Sequence, residues 1–453
     1  GENFHSHLKS LDKKLNVFRE IPEKEKGEGE LKGLPFSVKD SICVKGALSS
    51  AGSKILENYR PPFDSTAVKE IKKKGGTFIG KTNMDEFGFG TFSTNCAFEV
   101  PKNPWDTERA TGGSSGGAAS LTSAIQYPHV ALGQSTGGSI SCPASFCGVV
   151  GLTPTYGRVS RYGLISYGNS LDKIGPMGKR VYDVALLLDA IKGKDPKDQT
   201  SVSREDGSFV DNLNPNSIEG MKIGVPEEYM EFEGIDPEVR ETIWDSIKTL
   251  EDMGASYEKV KMPKIQKKYA VPSYYIIAMA EASTNLAKYC GMRYGMEGVP
   301  DEKSFNEYFS EIRSQGFGEE AKRRILLGTF ARMAGYRDQY YLKALKARTL
   351  VIKEFKRAFK DYDILASPAM PMIAPKFDEI KNLSPMEIYA MDTLTIGPNL
   401  AGLPHISVPA GFVNEMPVGM HLIGDHFEEQ KILNTARAFE RKQSLNLDPE
   451  VIK

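Results

Sequence analysis

Apolar and polar positions along this chain follow two periods, and the switches between them mark its elements. Residues 34–42 place Phe36, Val38 and Ile42 at even-numbered positions, as in a strand with one buried face. Residues 65–74 predict a short helix that ends in Lys72, Lys73 and Lys74 before Gly75-Gly76, and residues 77–79 predict a strand. Residues 118–124 then read as a helix, Tyr127-Pro128 as a turn and residues 130–134 as a strand. A helix at 180–191 and a strand at 221–225 follow. Asp236-Pro237 opens a further helix with Val239, Ile243, Ile247 and Leu250 on one face and Gly254 beyond its end. Residues 270–360 carry mainly helical patterns. Beyond them come a strand at 362–365, a helix at 385–396, strands at 406–408 and 418–423, and a terminal helix at 429–442.

Strands alternating with helices, and few tight hairpin signals, predict an α/β protein whose sheet is covered by helices on both faces. Residues 33–443 read as one domain, with a surface insertion at 192–220 where Asp, Ser, Asn and Gly replace any periodicity. Residues 1–32 are charge-dense and predict a solvated surface segment, and residues 444–453 a tail.

Charge and cysteine content narrow the function. A formal net charge of -1 excludes the broad basic footprint of a nucleic-acid binder, so any RNA involved would be gripped by a partner. Five cysteines without CxxC spacing predict free thiols and no disulfide framework. The six histidines form no metal-ligand motif, so no metal site is expected. No apolar run is long enough to span a membrane. Residues 75–82 match the GxxxxGK[ST] phosphate loop, but a helix precedes them and residues 77–79 read as strand. A phosphate loop follows a strand and opens a helix, so ATP binding is not expected here.

The candidate chemistry lies between Thr111 and Pro143, in Gly112-Gly113-Ser114-Ser115-Gly116-Gly117 and Thr136-Gly137-Gly138-Ser139. Gly/Ser-rich segments are commonly linkers. These are flanked by small apolar residues (Ala118, Ala119, Val130, Ala131, Leu132), which a linker has no need of. One helix and one strand between the clusters place both serines at one end of a sheet, where α/β proteins gather reacting groups. A serine nucleophile needs a base. His129, His405 and His421 are candidates, but none sits in a known Ser-His-Asp signature. Lys39, set among Phe36, Val38 and Ile42, is the other candidate, because burial lowers a lysine pKa towards that of a general base.

Val38-Lys39-Asp40, the 112–117 cluster, Thr136-Gly137-Gly138-Ser139-Ile140 and Pro143, in that order, resemble the amidase signature family over residues 31–443. The resemblance implies an α/β fold with a large mixed sheet. It implies Ser139 as nucleophile, Ser114 after a cis peptide bond as bridging serine, Lys39 as base, and backbone N–H groups of Thr136, Gly137 and Gly138 as oxyanion hole. Ser115 needs only a structural role. Residues 151–161, Gly163-Leu164, Arg323-Arg324-Ile325, Gly328-Thr329-Phe330 and residues 399–404 are similar to the A subunits of glutamyl-tRNA(Gln) amidotransferases. That similarity implies a glutaminase whose ammonia passes to a B subunit, where ATP and Mg amidate Glu-tRNA(Gln), with no cofactor in this chain. It also implies Arg348 for the α-carboxylate of glutamine and Asp392 for its α-amino group.

Two positions depart from the family pattern. Ser135 stands where an aspartate is common and Ser141 where an arginine is common, so both members of a possible charge pair are missing together. These departures, and the 38 residues before Lys39, lead to the expectation of a mitochondrial, fungal-like version in the matrix with a small third subunit (C- or F-type). A bacterial cytoplasm is the alternative. A free-standing amidase for small amides and a non-catalytic scaffold are the competing functions.

Overall fold

A computed structural model describes residues 2–23, 27–216, 218–299 and 302–449. Among the described residues eleven strands form one mixed sheet. They are β1 (Phe18–Glu20), β2 (Pro35–Lys39), β3 (Thr77–Thr82), β4 (Val130–Ser135), β5 (Val150–Thr153), β6 (Lys173–Gly178), β7 (Lys222–Pro226), β8 (Ser256–Val260), β9 (Ile364–Pro368), β10 (His405–Val413) and β11 (Met416–Ile423). Their spatial order is β1-β3-β2-β4-β6-β5-β10-β11-β9-β7-β8. The expected α/β class and large mixed sheet are thus observed. β2 lies parallel to both β3 and β4, whereas β4–β6, β5–β6, β5–β10 and β10–β11 are antiparallel.

Helices flank this sheet in layers. Thr66–Lys73, Val181–Ile191, Pro237–Asp252 and Glu429–Gln443 bury Val68, Ile71, Val184, Leu188, Ile243, Ile247, Ile432 and Phe439 in one core that includes Phe36, Val38, Val130 and Leu132. Lys267–Asn285, Phe305–Gly316, Glu319–Arg332, Lys343–Ala358 and Thr393–Ala401 build a second core around Tyr274, Ile277, Ala278, Phe355 and Leu394. Side chains alternate along a strand. Phe36 and Val38 therefore fill the first core while Lys39, at the C-terminal end of β2, points to the other face. β4 is the parallel neighbour, with Val38 opposite Leu132, so its C-terminal end and the 136–139 loop lie beside Lys39.

Several segments differ from the sequence-based expectation. Within the segment expected to be solvated, whose residues 1 and 24–26 lie outside the described residues, Glu2–Leu15 is an amphipathic helix whose Leu8, Leu11 and Leu15 recur at helical spacing and pack with Ile79, Leu121 and Ile125. Its charged outer face masks this stripe in the sequence. β10 and β11 form a hairpin whose turn residues Asn414 and Glu415 both have positive φ (48° and 64°), the geometry of a type I′ turn without the usual glycine. β8 is a largely exposed edge strand, Ser-Tyr-Glu-Lys-Val, whose charges hide it from the pattern and keep the sheet edge from pairing further. β6, Lys-Ile-Gly-Pro-Met-Gly, carries two glycines and a proline that hide it from the strand pattern. The helix expected at 385–396 is two helices, Pro385–Ala390 and Thr393–Ala401, meeting at Asp392. Residues 192–220 contain no helix or strand among the described residues, as an insertion would. The phosphate-loop match is a strand: Lys81 is buried and its Nζ donates to Ile42 O (2.7 Å), Ser49 Oγ (2.8 Å) and Leu48 O (3.1 Å).

Leu11 is 4% exposed, so Leu11→Ala is expected to destabilise the fold by about 2–4 kcal/mol. Denaturant unfolding checks this; a change below about 0.5 kcal/mol is what a solvated segment would give.

Candidate active site

Lys39, Ser114 and the 136–139 loop converge where the strand register brings them. Lys39 Nζ lies 2.6 Å from Ser114 Oγ, 2.9 Å from Gln134 O and 3.2 Å from Gln134 Oε1. Ser114 follows a cis peptide bond from Gly113 and stands just before the Gly116–Ala124 helix. The Ser115 N–H donates to Ser139 O (3.2 Å) and the Ser115 hydroxyl to Gln134 O (3.2 Å). Ser115 thereby ties the two serine clusters together, a structural role. Exposure rises outward through the site: Lys39 and Ser114 are 0% exposed and Ser139 is 7%.

Burial holds the Lys39 amine down to about 7, opposed by the nearby carboxylates of Asp85 and Asp172. Asp85 lies under the Ser114 loop, where it accepts the N–H groups of Ser93 and Asn95 at 2.9 Å. A Cβ at residue 113 would come 2.2 Å from Asp85 Oδ2, so glycine is required there. Burial raises Asp85 to about 6, opposed by its backbone donors, Lys39 and Arg324. Asp172 accepts the Thr136 hydroxyl (2.7 Å) and the N–H groups of Gly168 (3.1 Å) and Tyr167 (2.9 Å). Gly138 has φ +137° with Thr395 Oγ1 where a Cβ would stand, and the Thr395 hydroxyl donates to Gly137 O (2.8 Å). Of the three expected oxyanion donors, the Gly138 N–H already donates to Ser135 Oγ (3.2 Å). Thr136 and Gly137 are the donors at the same turn with no such assignment.

The histidine candidates lie elsewhere. His129 bonds Ser37 Oγ (3.0 Å) and Thr122 Oγ1 (3.3 Å), while His405 and His421 bond each other (2.7 Å) and approach Ser141 Oγ (3.2 and 3.4 Å). Burial pushes His129 and His421 to about 3, so both stay neutral. Among the described residues, no group of three or more His, Cys, Asp or Glu side chains is placed to hold a metal.

The structure brings Asp392 to the site but not Arg348. Asp392 Oδ2 accepts the hydroxyls of Tyr275 (2.7 Å) and Thr91 (3.1 Å), and burial raises it to about 7, opposed by those bonds and by Arg324. Arg348 is tied elsewhere: Nε to Leu400 O (2.8 Å), Nη1 to Ser170 Oγ (2.7 Å) and Nη2 to Ser170 O (2.8 Å). Every guanidinium nitrogen is used, and burial lowers its pKa, opposed by the Glu281 carboxylate. The arginine facing Asp392 is Arg324, 3% exposed, on the Glu319–Arg332 helix. Its guanidinium carbon lies 5.2–5.8 Å from the ring centres of Phe89, Tyr167, Tyr275 and Tyr389. Nε donates to Glu320 (2.8 Å) and Nη1 to Tyr167 Oη (2.6 Å), and Nη2 has no protein acceptor among the described residues. The buried face Ala321, Arg324, Gly328, Ala331 carries the signal that could have found it: one charge on a stripe of small residues at helical spacing.

Similarity to known proteins follows the same outline. Residues 6–433 match the family model described as Amidase. The chain is 51% identical over 430 residues to the A subunit of the glutamyl-tRNA(Gln) amidotransferase of Carboxydothermus hydrogenoformans, covering 94% of this chain and 87% of the relative. It is 48% identical over 422 residues to that of Methanococcoides burtonii, covering 92% and 86%. The crystal structure of the corresponding protein from Thermotoga maritima superposes with a TM-score of 0.85 at 41% identity, covering 99% of this chain and 94% of the other. With a family model spanning nearly its whole length and the Lys39–Ser114 contact set beside the Ser139 loop, the chain belongs to the Amidase family.

Proposed function

We propose that this chain is the glutaminase component of a glutamyl-tRNA(Gln) amidotransferase. The observation that carries the chemistry is the 2.6 Å contact between Lys39 Nζ and Ser114 Oγ beside the Ser139 loop. Neutral Lys39 takes the Ser114 proton while Ser114 takes that of Ser139, and the Ser139 oxygen attacks the carboxamide carbon. The backbone N–H groups of Thr136 and Gly137 hold the developing oxyanion, each worth about 3–4 kcal/mol to the transition state. Ammonia leaves with a proton returned through Ser114, and water then hydrolyses the glutamyl ester on Ser139. Glutamine presents a carboxylate and an ammonium. Arg324 and Asp392, facing each other across Tyr275, offer one charge of each sign, and Arg324 takes the role that the family resemblance implies for Arg348. A free-standing amidase for neutral amides would have no use for that pair.

The partners belong to the same proposal. The names of the relatives support a B subunit that receives the ammonia and grips Glu-tRNA(Gln), with ATP and Mg used there and no cofactor here. Leu326, Leu327, Phe330 and Met333 are 41–70% exposed on and just beyond the helix that carries Arg324, which suits docking of another protein chain. A small third subunit (C- or F-type) completes the assembly. Its setting is the mitochondrial matrix, for which Ser135 and Ser141 speak, or a bacterial cytoplasm, for which the bacterial and archaeal relatives speak.

Ammonia release from glutamine by the chain co-expressed with its B subunit is expected, and Ser139→Ala is expected to abolish it. Broad amide hydrolysis by the lone chain, with glutamine unexceptional, would favour the free-standing amidase. The lysine works only when neutral, so activity above its pKa and loss below it are expected: kcat should rise with pH through about 7. Arg324→Met should raise the KM for glutamine about 100-fold or more, as loss of a charge-assisted pair predicts. Arg348→Lys should leave that KM within about twofold. The reverse ranking returns the carboxylate to Arg348.

A further inference from the structure

Gln134, the penultimate residue of β4, lies outside the sequence motifs of the site, yet it supplies two of the three contacts to the Lys39 amine. A lysine that acts as a base is neutral, with two N–H bonds and one lone pair. The two Gln134 oxygens can only accept, whereas Ser114 Oγ can accept or donate. The Gln134 amide is held in one orientation. Its Nε2 donates to Thr136 Oγ1 (2.7 Å) and faces Asp172 Oδ1 (3.4 Å), which turns Oε1 to Lys39. Thr136 Oγ1 in turn gives its own proton to Asp172, so each donor in this chain has an acceptor.

We propose that Gln134 is a positioning residue whose backbone and side-chain oxygens occupy both N–H bonds of neutral Lys39, leaving its lone pair aimed at the Ser114 hydroxyl. The Ser114 O–H bond then breaks as a third N–H bond forms on Lys39. The Ser139 proton moves to Ser114 oxygen, and the freed pair on Ser139 oxygen forms the new bond to the electrophile. The resulting ammonium finds all three of its N–H bonds already matched to oxygens, so it is received without side-chain movement. The titratable groups facing Lys39 are Asp85, from the loop after β3, and Asp172, from the segment before β6. Both favour the ammonium, and Arg324 acts on Asp85 from the Glu319–Arg332 helix. The inference rests on the serine relay proposed above but not on glutamine as substrate.

The test is the pH dependence of Ser139 phosphonylation in the full chain by a fluorophosphonate. The Ser139 O–P bond forms, P–F breaks, fluoride leaves and the proton reaches Lys39 through Ser114. Gln134→Met keeps the length and backbone carbonyl but removes Oε1. Labelling on the alkaline plateau is expected to slow about tenfold. The ammonium loses an acceptor, so the acid limb is expected to move down by about half a pH unit or more. A limb within about 0.2 units of the unmodified chain, whatever the rate, overturns the proposal. Should Gln134→Met not fold, Gln134→Glu carries the test: a carboxylate beside the amine moves the limb up, and an unmoved limb overturns the role. No labelling of the unmodified chain at Ser139 overturns the relay itself. Normal labelling without glutamine hydrolysis overturns only the substrate.

Discussion

The removal of one amine from water sets the terms for the rest of this site. A charged lysine in an apolar interior is expensive enough that the group gives up its proton instead. Among the described residues three lysines are deeply buried, and their surroundings separate their tasks. Lys81 is ringed by four oxygen acceptors and stands 3.7 Å from Asp40 Oδ1, the setting of a structural strut. Among the described residues Lys173 reaches only Asn399 O at 3.5 Å, with Arg348 nearby, and burial lowers it to about 7. Lys39 touches the Ser114 hydroxyl beside the 136–139 loop.

The region behind the nucleophile loop keeps to the same constraint. At Ser135 and Ser141, the two positions that depart from the family pattern, hydroxyls take up the local duties. Ser135 accepts the Gly138 N–H and donates to Asn399 Oδ1 (3.4 Å), and Ser141 meets the two buried histidines. Burial keeps His405 and His421 neutral. The joint loss is coherent: one surviving member of such a pair would be a buried charge without a partner.

Much of this was legible in the sequence, for physical reasons that also mark where legibility stops. Period-two alternation in β2 and the glycines around Ser114 and Ser139 are local signals, and the register of two parallel strands then places Lys39 beside both. The stripe Leu8, Leu11, Leu15 was equally present but lay among charges that belong to the outer face of its helix. Asp85 and Asp172 sit in irregular segments, where no periodicity marks a residue as buried. Arg348 and Arg324 differ in what surrounds them, not in their own chemistry. Four rings from four separate segments enclose Arg324, and only the tertiary structure assembles them.

Exposure rises outward from the fully buried Lys39 and Ser114 to Ser139. Under the proposed chemistry, the departing ammonia and the incoming water both exchange their proton with Ser114, so they must use the same berth in turn. The first product has to clear that berth before the ester can be cut. Whatever draws ammonia away therefore also sets when the enzyme can begin again: delivery to the next protein and release of glutamate are timed by one small space.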